Sequence, residues 1–122
     1  MLLSAKSQNL PPVVYTAFNI CYPQKQDNVE NWQVCKIPVE MDWKGDQLSK
    51  IIIKTHTALV LTIKRFKKEY TRNSNTHGDL YIAFDGVNNC YVEWEIYDKA
   101  MDDAISWLAI IYPKYSIHYK LK

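Results

Sequence analysis

Glycine is scarce in this chain, at three residues in 122. That leaves little room for a Gly-rich phosphate cradle, and neither a P-loop nor GxSxG occurs. Histidine also numbers three, with no HExxH and no Cys-His spacing suited to zinc. Cys21, Cys35 and Cys90 are an odd set without a CxxC pair. No apolar run approaches the ~18–20 residues of a membrane-spanning helix. Charge of one sign is missing too: the net +2 excludes both a strongly acidic nucleic-acid mimic and a histone-like polycation. No metal, cofactor or membrane partner is expected on these grounds.

Residues 1–10 hold one lysine and a two-residue apolar run, Leu2-Leu3, too little for a secretory leader. With three thiols, this predicts a reducing cytoplasm. Each cysteine reads as a small buried apolar residue, a Cys21–Cys35 disulfide being the alternative.

What is present is 48% hydrophobic and 23% charged. This suits a single domain over 1–122 that buries about two-thirds of its surface. Residues 1–12 are expected to form a loosely ordered N-terminal segment. Residues 13–22 read as a strand with Val14, Phe18 and Ile20 on one side. Residues 32–39 return, with a bulge at Val34 and Cys35. Pro38 cannot donate to a ladder, so this strand is placed at a sheet edge, open to pairing with a second copy of the chain. Residues 46–70 lack Gly and Pro, and Leu48, Ile52, Thr55, Leu59, Thr62, Phe66 and Tyr70 recur every three or four positions. That spacing predicts a helix despite the β-branched content.

Residues 80–85 and 89–97 read as a hairpin around a turn at 85–89. Leu80, Ile82 and Phe84 would face inward with Cys90, Val92, Trp94 and Ile96. A second helix is predicted over 99–111, capped by Asp98 and buried through Met101, Ala104, Ile105, Leu108 and Ile111. A last strand follows at 115–121. The expected fold is α+β: a mainly antiparallel sheet of about five strands with two helices on one face, in the order ββαββαβ.

In that arrangement Tyr81, Tyr91, Glu93, Glu95 and Tyr97 share the solvent face of the sheet. Tyrosine is enriched at interfaces, so these residues, with Trp43, form a candidate protein-docking patch on a non-enzymatic domain. Abundant Lys, Asn, Ile and Tyr (13, 8, 12 and 9) hint at an AT-rich genome and at an inhibitor or immunity-type accessory protein of phage or mobile-element origin. A second reading rests on Lys64, Arg65, Lys67, Lys68 and Arg72. Residues 1–75 carry a net +5 and the remainder −3. A basic run beside exposed aromatics is one way to bind RNA or single strands, although Glu93 and Glu95 would repel phosphates. A third reading has Glu93 or Glu95 acting with His118 as general base and acid, or as metal ligands. His56 and His77 are read as incidental.

Overall fold

The computed structural model describes residues 11–23, 31–73, 76–97 and 106–122. Eight strands run in chain order: β1 (Val13–Cys21), β2 (Trp32–Lys44), β3 (Gln47–Ile53), β4 (Leu59–Asn73), β5 (Thr76–Phe84), β6 (Asn89–Tyr97), β7 (Ser106–Ile111) and β8 (Ser116–Leu121). Each pairs antiparallel with the next, and β1 pairs with β8 to close a barrel. The α+β expectation is therefore wrong. No helix occurs among the described residues. None of them forms a helix long and apolar enough to cross a membrane.

The helix expected over 46–70 is instead β3, a turn and β4. Leu59, Leu61 and Ile63 face the barrel interior in ordinary alternation, with Val60 and Thr62 outside. Register then shifts between Ile63 and Arg65, and again between Phe66 and Lys68. Each bulge inserts one residue, so the next positions on the inner side are Phe66, opposite Tyr81, and Glu69, opposite Asp79, although both side chains are exposed. Another shift, between Asp42 and Trp43 opposite Leu48 and Lys50, separates Leu48 from Ile51 and Ile53. Bulges thus turn a period of two into steps of three that imitate a helix. The turn at 54–58 manages without Gly or Pro: the Thr55 hydroxyl donates to the Thr57 carbonyl at 2.6 Å.

The second predicted helix is also overturned where it is described. Leu108 and Ile110 point inward from β7, and Ile111 points out. Its first part, with Met101, Ala104 and Ile105, lies outside the described residues, as do positions 1–10 of the N-terminal segment.

The interior is filled by Val39, Met41, Ile51, Ile53, Leu61, Val92, Trp94, Leu108, Ile110 and Leu121, all at most 2% exposed. Trp94 stands edge-on to Tyr15 at 5.4 Å. An eight-stranded barrel has an interior just wide enough for side chains to fill. Val14 is 60% exposed rather than inward, because Tyr15 and Ala17 take the inner side of β1. The bulge expected on β2 is present: Ala17 faces Ile37, while Asn19 faces Val34.

Pro38 does not mark an edge. It sits on β2 between β1 and β3, and its carbonyl accepts from the Lys54 amide at 2.9 Å. A strand residue points its nitrogen the same way as its carbonyl. The missing N–H therefore falls where the β3 ladder ends, at Ile53. Closure removes the β2 edge that pairing with a second copy required.

Candidate functional site

The β5–β6 hairpin forms where expected, around a four-residue turn at 85–88. Asp85 builds that turn. Its Oδ1 accepts from the Val87 and Asn88 amides at 2.7 and 2.6 Å, and its Oδ2 accepts from the Tyr112 hydroxyl at 2.7 Å. The Asn88 amide, with Tyr112 and Val87 adding to it, holds the Asp85 carboxyl below its usual range. Gly86, at φ 102°, supplies the left-handed residue.

An even turn makes Phe84 face Asn89, so even-numbered residues of β5 oppose odd-numbered residues of β6. Val92 and Trp94 point inward, as read from the sequence, and they bring Tyr81, opposite Val92, and Ala83 with them. Leu80, Ile82 and Phe84 consequently stand outside, half-buried. Their apolar alternation, with a five-residue turn at 85–89, would put them in the core; the turn has four residues. One residue reverses the whole strand.

The tyrosine and glutamate patch is thereby taken apart. Tyr81 is buried inside, where its hydroxyl donates to Asp79 at 3.3 Å; burial first, and Asp79 second, push that hydroxyl well above its ordinary pKa. Trp43 packs half-buried against the core. Tyr97 pairs with Thr76, and its side chain lies outside the description. Glu95 is 6% exposed and accepts from the Tyr70 hydroxyl at 2.8 Å. The Tyr70 ring reaches it by lying over Gly78, where an added Cβ would come within 2.8 Å of the ring. Of the six residues, Tyr91 and Glu93 remain together on the outer wall, Tyr91 at 42% exposure.

The acid and base candidates do not converge either. Glu93 opposes Ala109, which opposes His118, so Glu93 and His118 stand two strands apart, about 9–10 Å between backbones. His118 Nε2 lies 3.1 Å from the Ser116 hydroxyl. Among the described residues, no group of three His, Cys, Asp or Glu could hold a metal ion.

The basic run behaves differently. Lys64, Arg65, Lys67 and Lys68 are all exposed on β4. In a regular strand, four such residues would divide between the two faces. Here the two bulges leave Phe66 and Glu69 as the inner-side positions, and the cations turn outward. Arg65 pairs with Ile82 and Lys68 with Leu80, both outer residues. Lys64 Nζ lies 5.7 Å from the Phe84 ring centroid and Lys67 Nζ 5.2 Å from that of Tyr91. The side chain of Arg72, at the end of β4, lies outside the description. A column of cations thus runs beside the outward Phe84, Ile82 and Leu80 of β5 and the Tyr91 of β6. Sequence reasoning named these cations but set them on a helix terminus. Of their neighbours it foresaw the exposed Tyr91 but not the outward Leu80, Ile82 and Phe84.

Comparison with models of protein families, with curated proteins and with solved structures finds no match to this chain.

Proposed function

We propose that this barrel binds single-stranded nucleic acid along the outer wall of β4, β5 and β6. The observation that carries the reading is the double bulge of β4, which sets four basic side chains, the pairs on either side of Phe66, outward beside exposed and half-exposed rings. A cationic track with adjoining aromatic platforms is the usual design for strand binding without strict sequence preference. The repulsion expected from Glu95 is reduced, because its carboxylate is buried and held by Tyr70. Glu93 limits the track on the β6 side. The protein-docking reading retains only Tyr91 and Glu93 from its original surface. With none of its three cysteines in a disulfide, the reading suits a reducing cytoplasm.

The test is fluorescence anisotropy of a labelled 20-nucleotide single strand, titrated at 50 and 200 mM salt. If four phosphates are contacted, affinity falls about 50-fold between the two. Absence of binding at 50 mM, or an affinity indifferent to salt, overturns the proposal.

A further inference from the structure

We infer that the cleft beside Tyr91 receives one unpaired base of the bound strand; this deepens the reading above and rests on it. The cleft encloses about 660 Å³ among Ile82, Asn89, Tyr91, Ile111, Tyr112 and Pro113. That volume lies within the range of small-molecule sites. Ile82 opposes Tyr91, and Tyr91 opposes Ile111, so three outward residues form one continuous apolar row across β5, β6 and β7. The neighbouring cations lie on one side, and the Asp85 carboxylate, bonded to Tyr112, lies on the other. Arg65 extends the row on the β4 side, next to Ile82, and Lys67 stands over the Tyr91 ring.

A nucleotide has the same polarity, with an anionic phosphate at one end and a flat, largely apolar ring at the other. Set on this wall, its phosphate meets Lys67 and Arg65 while its base lies on Tyr91 toward Ile111. Lys67 now covers the tyrosine face through a cation–π contact, and it releases that face as it turns to the phosphate. Asn89, exposed at the rim, offers both a donor and an acceptor to a base edge. A duplex keeps its bases stacked inside and has none to give.

The experiment compares a 12-nucleotide single strand, carrying one 2-aminopurine, with a blunt-ended duplex of two separate strands, on wild type, Tyr91→Ala, Tyr91→Phe and Lys64→Glu/Lys67→Glu. Wild type is expected to prefer the single strand at least tenfold and to quench the 2-aminopurine. Tyr91→Ala should lose about tenfold in single-strand affinity, together with the quenching, while its salt slope and its duplex affinity stay unchanged. Tyr91→Phe should restore both. If Tyr91→Ala binds and quenches like wild type while Lys64→Glu/Lys67→Glu binds neither probe, the base cleft is refuted and the interface reading survives. If wild type itself binds neither probe at 50 mM salt, both fall. Displacement of the strand by a long-chain fatty acid, with no displacement by a nucleoside monophosphate, would reassign the cleft to an anionic amphiphile and refute the base.

Discussion

Two stretches of the barrel's outer wall are made of lysines and aromatic rings, and they use them in opposite ways. On β7, β8, β1 and β2 the rings meet one another: Trp32 and Trp107 stand edge-to-face at 5.4 Å, Trp107 and His118 at 5.8 Å, and Lys120 Nζ lies 4.4 Å over Trp32. The residues among them are small. Cys21 pairs with Trp32 and His118, Ala109 pairs with His118, and both are about 1% exposed although neither belongs to the interior cluster. On β4, β5 and β6 the positions between the rings are Leu80 and Ile82. There the rings stand apart, each with its own lysine. Small intervening side chains let aromatics close over a wall and shield it; branched aliphatic ones hold them apart and leave a surface to dock on.

That contrast can be broken from either side. The largest effect is expected from Trp107→Ala, which removes the ring shared by two contacts of the shielded wall. Stability should fall by about 3 kcal/mol, read as the shift of the urea midpoint, with oligonucleotide affinity unchanged once folding is restored by lower temperature. Next comes Lys64→Glu/Lys67→Glu on the open wall. Affinity for a single strand at 50 mM salt should fall on the order of 50-fold, with the thermal midpoint within a degree or two of wild type. Gly78→Ala, on the middle strand of the open wall, pushes Tyr70 off Glu95 and should cost about 1–2 kcal/mol. Combined with Tyr70→Ala, which clears the space, it should show less than the sum of the two single losses.

The smallest effect belongs to Asp85. Its carboxyl titrates below the ordinary range, so its contribution is complete above the unfolded-state pKa and is lost as pH falls through the lower folded value. The thermal midpoint of wild type should therefore drop more between pH 5 and pH 2 than that of Asp85→Asn. Equal slopes would show that the turn does not depend on the charge.

Much of the strand content was legible in the residues. The β5–β6 hairpin, the inward Val92 and Trp94 and the bulge near Cys35 follow from alternation and turn chemistry alone. The barrel was not legible, for a local reason. Bulges at β3 and β4 stretched the inward spacing to three, and a turn built on threonine hydroxyls gave no Gly or Pro to punctuate it. A spacing of three or four imitates a helix there, although the β-branched Ile51, Ile52, Ile53, Val60 and Ile63 favour strand. The site was half legible. The four cations are plain in the sequence, but their common outward direction depends on two inserted residues and on the parity of a turn, neither of which composition encodes.

Seven of the eight ladders join strands adjacent along the chain, and only β1 with β8 reaches back, setting Ala17 against Leu121 across roughly a hundred residues. Forming that seam carries the largest loop-entropy cost, so the meander can assemble hairpin by hairpin and zip shut last. The Thr16 and Lys122 amides, each bonded to the other's carbonyl at 3.0 Å, sit at the end of this seam. Native-state hydrogen exchange should find them opening by a local route well below the free energy of global unfolding, with Val92 and Trp94 protected long after.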